Sequence, residues 1–215
     1  MSPSEKIYPQ FWPRLSVMDF LLFTESMQTG FSPDYPQPCL GASDLNFVIN
    51  APQGYCPQTT GALATLYFDN ADCSRRLPDN GYQVTCLHPL DTHELMKWAE
   101  QGIGMIRDVL MHVGLVCIDL VNLTTFLESC SSKRLTLEII PYEPACEIPR
   151  ERLRHLRSRN IFAALFAGAD LSMQMYAELG RTLEELNPML NNVLLTANCL
   201  GNSTPTLMFL SELEP

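Results

Sequence analysis

Residues 92–112, THELMKWAEQGIGMIRDVLMH, put Leu95, Trp98, Ala99, Gly102, Ile103, Ile106 and Leu110 on one stripe at helical spacing. A helix this long with a single apolar stripe needs another layer to bury it. Thr92 is placed to cap its start. Gly102 and Gly104 lower the intrinsic helix propensity and point to close packing against a neighbour. This helix is the strongest constraint in the chain, and the segments around it are read as the layer it covers.

Upstream, DLNFVIN (44–50) and YQVTCLH (82–88) read as strands, and ALATLYFDNA (62–71) as the start of a helix. LSVMDFLLFTESMQ (15–28) fits a short helix or a strand equally. Downstream, VNLTTFLES is a short helix and RLTLEII (134–140) alternates like a strand. Pro149 can open a helix RERLRHLRSR with Leu153 and Leu156 inward. IFAALFA (161–167) is a buried strand. DLSMQMYAELGRTLEEL (170–186) is an amphipathic helix with Leu171, Met175, Leu179, Leu183 and Leu186 on one face. NVLLTANC and TPTLMFLSE are closing strands. The alternation defines an α/β layered fold, and 134–140, 161–167, 192–198 and 205–211 are expected to form one sheet covered by helix 171–186.

Composition narrows the function. The 215 residues are 46% hydrophobic and 18% charged, enough to bury a sizeable core. The net charge of −10 (14 basic minus 24 acidic residues) argues against a general nucleic-acid binder, which needs clustered cations. No apolar run reaches the roughly 18 residues of a membrane span. The first residues lack the pattern of a secretory signal, so the expected location is the cytoplasm. Eight cysteines occur with no CxxC or other close pair. Buried free thiols are expected, with Cys86, Cys117 and Cys199 in apolar runs. Neither cysteines nor histidines have zinc-ligand spacing, so no metal is expected. The Arg-rich stretch 150–159 reads as a solvated face rather than a docking surface.

The segments WAEQGIGMIRDVLMHVGLVCIDLVNLTTFLES (98–129) and IFAALFAGADLSMQMYAELGRTLEEL (161–186) resemble the FtsZ/tubulin-like superfamily. The first resembles the central helix, acidic loop and next helix, through Ala99, Gln101, Gly102 and Ile103, then Gly114, Leu115, Cys117, Asp119 and Asn122. The second resembles the family's strand-turn-helix, through Ala167, Gly168, Asp170 and Leu171. The resemblance covers about 90–210 and implies a shortened tubulin/FtsZ-like α/β fold, with a long central helix and a C-terminal sheet covered by helices. It divides the chain into a reduced N-terminal, degenerate GTPase-like region (1–90), the central helix and acidic loop (91–130) and a C-terminal α/β domain (131–215).

In that family a glycine-rich loop holds GTP, and the acidic loop of one subunit completes the nucleotide site of the next. Laid over the glycine-rich loop, residues 51–61 keep only Gly54 and Gly61, with Thr59 and Thr60 as further remnants. Pro57 has no N–H for a phosphate, and Tyr55 and Gln58 add bulk. In the acidic loop Asp119 remains, but Asn122 stands at the second acidic position, where an amide cannot take a proton or carry charge. Asp119 therefore has two readings: a remnant of a catalytic loop, or the N-cap of helix 120–128.

The resemblance thus implies a pseudo-GTPase without catalytic residues or cofactor, related to the cytoskeletal proteins of cell division. It would act by association with itself or with an FtsZ-type partner through Leu115, Val116, Asp119 and Asn122. Asp119→Arg is expected to weaken association with little effect on melting. The alternatives are a divergent GTPase that still binds nucleotide through 51–61, and an unrelated acidic α/β adaptor or chaperone.

Overall fold

The computed structural model describes residues 13–20, 43–53, 55, 61–141, 148–199 and 205–212. Its strands are β1 (Leu15–Asp19), β2 (Leu45–Ile49), β3 (Ala64–Asp69), β4 (Gly81–Thr85), β5 (Arg134–Pro141), β6 (Asn160–Ala167), β7 (Asn192–Cys199) and β8 (Thr206–Glu212). The helices are α1 (Thr92–Met111), α2 (Leu120–Ser129), the single turn α3 (Arg150–Leu153) and α4 (Met173–Leu186). All eight strands join one sheet in the order β1-β2-β3-β4-β5-β8-β6-β7. β1 to β5 are parallel neighbours. β8 lies antiparallel between β5 and β6, and β7 closes the edge parallel to β6.

Strand alternation sends side chains to two faces. On one face Phe47, Phe68, Val84, Leu137, Phe162 and Leu210 meet Ala99, Ile103 and Ile106 of α1 and Leu123 and Phe126 of α2. Helix α1 touches both β2 and β7, so it lies across the parallel and the mixed halves of the sheet. Gly102 lets it do so. A Cβ there would stand 2.2 Å from Leu137 Cδ2, whereas one at Gly104 would meet nothing within 4 Å. Close packing is thus found at Gly102 and not at Gly104. The cap of α1 is Asp91 rather than Thr92. Its side chain accepts the Glu94 N–H while the Glu94 side chain accepts the Asp91 N–H, a capping box.

On the other face of the C-terminal half, Ile161, Leu165, Leu207 and Phe209 pack against Leu179 and Leu183 of α4 and against Leu153 and Leu156. The four C-terminal strands and the covering helix are as expected from the sequence. Helix α4 starts later than expected, because Ser172 caps it by accepting the Met175 N–H. The helix expected at 150–159 is only one turn long, although both leucines are buried as expected. Beyond that turn, His155 is engaged by Glu138 of β5 at 2.6 Å.

Segment 62–71 forms β3 and not a helix. Its Leu66, Tyr67 and Phe68 are fully buried, on both faces. A short apolar run does not distinguish a central strand from a buried helix by periodicity, and the Thr, Tyr and Phe content favours the strand. The connections β2 to β3 (50–63) and β3 to β4 (70–80) contain no helix among the described residues. Phe20, Val48, Tyr55 and Tyr67 form a small core on that side instead, with Tyr55 and Phe20 rings 4.6 Å apart.

The five described cysteines (73, 86, 117, 130 and 199) are free thiols. Cys86 and Cys130 are buried, but Cys117 and Cys199 are exposed, against expectation. Cys117 lies in the loop after α1, and Cys199 ends the edge strand, so the apolar runs around them are not core throughout. Burial pushes the Cys130 thiol up to about 12.

Candidate functional site

Two regions correspond to the loops singled out in the sequence, and they lie at opposite ends of the parallel strands. The first follows α1. Gly114 passes so close to β7 that a Cβ would stand 2.4 Å from the Ala197 carbonyl oxygen. This approach lets the Leu115 N–H donate to the Ala197 carbonyl (2.7 Å) and the Ala197 N–H donate to the Val116 carbonyl (3.2 Å). The Thr196 hydroxyl donates to the same Val116 carbonyl at 2.6 Å. The loop is therefore fastened to the sheet edge as a short antiparallel bridge.

Asp119 then caps α2. Its carboxylate accepts the Asn122 N–H at 2.8 Å, and the Asn122 side-chain oxygen accepts the Asp119 N–H at 3.0 Å. This reciprocal pair is the geometry of a capping box, with Asn in the place of the usual Glu or Gln. Of the two readings of Asp119, the capping one is directly visible. Both side chains remain exposed. The expected indifference of melting to Asp119→Arg is corrected by this geometry, because loss of an N-cap costs about 1 kcal/mol.

Around the loop, Val113 is 74% exposed, Leu115 45% and Val121 65%. Val116 is half-buried and Ile118 is buried. Val113, Ile118 and Val121, with Asp119, border an open cleft of about 860 Å³, whose other wall is Pro13, Arg14 and Asp44 at the start of β1 and β2. Arg14 and Asp44 form a two-pronged pair, Nη2 to Oδ1 at 2.9 Å and Nε to Oδ2 at 3.3 Å. The Arg14 side chain, and then its backbone N–H, hold the Asp44 carboxyl below the usual carboxylate range.

The second region lies beyond the carboxyl ends of β2 and β3, where open parallel sheets bind their ligands. Gly54, Thr59 and Thr60 lie outside the described residues, as do Pro57 and Gln58. Gly61, just before β3, lies instead at the amino ends of the strands, where the following Leu63 N–H bonds to the Asp44 carbonyl; its left-handed φ of +92° suits glycine. At the carboxyl ends of the strands stands a buried ion pair not anticipated from the sequence. Arg75 donates through Nε to Asp69 Oδ2 (2.6 Å) and through Nη2 to Asp69 Oδ1 (2.7 Å) and the Ala51 carbonyl (2.8 Å). Nη1 reaches the Pro52 carbonyl at 3.3 Å, and the guanidinium lies 4.6 Å from the Tyr67 ring centroid. Burial opposes the charge on Arg75, but the hydrogen bonds and charge of Asp69 outweigh it and leave its pKa above the ordinary value. Gln83 Nε2 adds bonds to Asp69 Oδ2 (3.0 Å) and to the Cys73 carbonyl (2.9 Å). The usable signal in the sequence was an acid ending an apolar strand, with an arginine six residues later.

Among the described residues no cluster of three or more His, Cys, Asp or Glu side chains could hold a metal, and no helix is long and apolar enough to cross a membrane.

No family model and no curated protein sequence matches the chain. Solved structures do. CetZ from Methanosaeta thermophila superposes with a TM-score of 0.55 at 12% identity, over 81% of this chain and 62% of that one. An FtsZ dimer from M. jannaschii, described as empty, gives 0.54 at 10% identity, over 79% and 63%. GDP-bound CetZ1 from Haloferax volcanii gives 0.50 at 9% identity, over 80% and 66%. The fold is therefore FtsZ/tubulin-like, and the chain spans under two thirds of the length of the first of these relatives.

Proposed function

We propose that this chain is a non-catalytic FtsZ/tubulin-like protein that acts by association, with itself or with an FtsZ-type partner, through the edge formed by residues 113–122. The observation that carries the reading is the exposure of Val113, Leu115 and Val121 around Asp119. Three exposed large apolar side chains on one loop, two of them (Val113 and Val121) bordering the open cleft, are more than a helix cap requires, and exposed apolar patches mark interaction sites. Leu115, Val116, Asp119 and Asn122 belong to this edge. In the resembled family the corresponding loop meets the next subunit head to tail, a heterologous contact that builds open filaments when its rotation does not close.

Absence of catalysis is supported by the amide at Asn122 and by the use of both Asp119 and Asn122 as a cap. Absence of nucleotide is supported by the second region, where backbone carbonyls of Ala51 and Pro52 face a buried guanidinium. A phosphate cradle requires N–H groups in such a place.

Sedimentation velocity tests the reading. The wild-type chain is expected to self-associate, or to co-sediment with an FtsZ-type protein, without nucleotide. Val121→Glu, a change at an exposed position, is expected to weaken that association with the fold intact. A wild-type chain that stays monomeric and ignores FtsZ-type filaments would overturn the proposal, as would steady GTP hydrolysis.

A further inference from the structure

The ion pair above β2 and β3 joins loops that follow different strands. The Arg75 side chain is 0% exposed and that of Asp69 1%. Two buried charges are costly unless nearly every donor and acceptor is used. Here Arg75 serves both carboxylate oxygens and two backbone carbonyls, while Asp69 accepts from Arg75 and Gln83. Three separate pieces of chain meet in this cluster: Ala51 and Pro52 after β2, the Asp69–Arg75 stretch after β3, and Gln83 within β4.

We infer that Arg75 is a tethered substitute for a ligand, fixing Ala51 and Pro52 after β2 against the Asp69–Arg75 stretch so that their arrangement is set without any added small molecule. In an open parallel sheet these loops ordinarily close on an exogenous group. Here the cross-link is internal, and its polarity is the reverse of an anion site, with carbonyl oxygens turned toward a cation. The cation is covalently part of the chain, so Ala51 and Pro52 have no unliganded state to occupy. A corollary rests on the association reading: any contact that uses this surface is independent of nucleotide and of other anions.

Hydrogen exchange on the full chain tests the inference. The amides of Asn50, bonded to the Phe68 carbonyl at 2.8 Å, and Tyr55, bonded to the Pro52 carbonyl at 2.9 Å, report on the loop after β2. In the wild type they should exchange slowly with nothing added, and neither GTP nor inorganic tripolyphosphate should slow them further. Lys has three donors on a single nitrogen and cannot reproduce the four bonds that Arg75 makes from three separated nitrogens. Arg75→Lys is therefore expected to speed these amides about tenfold or more while amides of β6 and β8 keep their rates.

If that variant does not fold, the pair Asp69→Leu with Arg75→Met carries the test. It removes both charges at similar volume, which is commonly neutral or stabilising, yet it leaves the two carbonyls unheld. The same local acceleration is expected. Unchanged exchange at Asn50 and Tyr55 in the folded variants would overturn the inference, as would clear slowing of the wild type by GTP or tripolyphosphate. A wild-type chain with the expected exchange pattern that stays monomeric would instead remove the association reading and leave the internal lock standing.

Discussion

Replacing Gly102 by Ala sets two opposed effects against each other. Within a helix Ala is favoured over Gly by about 1 kcal/mol. The new Cβ, however, would lie 2.2 Å from Leu137 Cδ2 and 3.4 Å from Phe68 Cε1. Carbon atoms settle at about 3.5–4.0 Å, so the Leu137 methyl must retreat by roughly 1.3 Å or more. Leu137 is 1% exposed and Phe68 0%, so the methyl has to move among packed neighbours. Overpacking of this kind costs about 1–3 kcal/mol. The clash wins, and Gly102→Ala should destabilise by about 1 kcal/mol net.

Gly104 is the internal control, on the same helix but with nothing within 4 Å of a Cβ. Gly104→Ala should gain about 1 kcal/mol, because it collects the propensity and unfolded-state terms with no clash. The two variants should thus differ by about 2 kcal/mol in urea denaturation, or roughly 4–8 °C in Tm for a chain of this size. A third variant, Gly102→Ala with Leu137→Val, shortens the obstructing side chain, and a favourable coupling above about 0.5 kcal/mol is expected in the cycle. Equal stabilisation by the two alanines, or a zero coupling, would refute the placement of α1 against β5.

Three further outcomes are expected. Glu212 is buried; burial pushes its carboxyl up, but the Ser132 N–H (2.8 Å), then Asn160 Nδ2 (2.5 Å) and the Ser131 hydroxyl (3.2 Å), outweigh it and leave the pKa below the ordinary 4.5. Its stabilisation is complete above pH 4.5 and is lost as pH falls through the lower folded value. Glu212→Gln should therefore cost about 1–3 kcal/mol near neutrality and flatten this acid dependence in denaturation curves taken at several pH values. Millimolar GTP should leave the melting temperature unchanged, and a shift of several degrees would contradict the nucleotide-free reading, since specific binding raises stability by mass action. Asp119→Ala should lose about 1 kcal/mol through the N-cap, whereas Asp119→Ser should keep nearly all of it, as read by chemical denaturation.

Much of the fold was legible in the sequence because burial left a periodic record. The stripe of α1 and the face of α4 repeat at helical spacing, and the four C-terminal strands are short apolar or alternating runs set off by helical or loop segments. β3 was misread because it is covered on both faces, which erases the alternation that marks a half-buried strand. The Arg-rich stretch was misread in length. Its leucines recorded burial correctly, but the contact of His155 with Glu138, 17 residues away, is tertiary. The Asp69–Arg75 pair was missed for the same reason, since its arginine also holds the carbonyl of Ala51, 24 residues earlier. Cys117 and Cys199 show the converse error. An apolar run records an average environment, and a thiol at a sheet edge or in a loop takes no part in it.

Asp119 shows where pattern reading and chemistry separate. An acid three residues before an amide, at the start of an apolar helix, satisfies the requirements of a capping box: an acceptor for the N3 N–H and an N3 side chain that returns one to the cap. The helix alone accounts for both residue types, so their presence carries no information about catalysis. Charge and capping can nevertheless be parted. Ser caps as well as Asp but carries no charge. If the edge recognises its partner through the carboxylate, Asp119→Ser should weaken association at unchanged stability, while Val121→Glu weakens it whatever Asp119 does. If Asp119→Ser associates as the wild type does, the apolar residues carry the contact and the carboxylate serves only the helix.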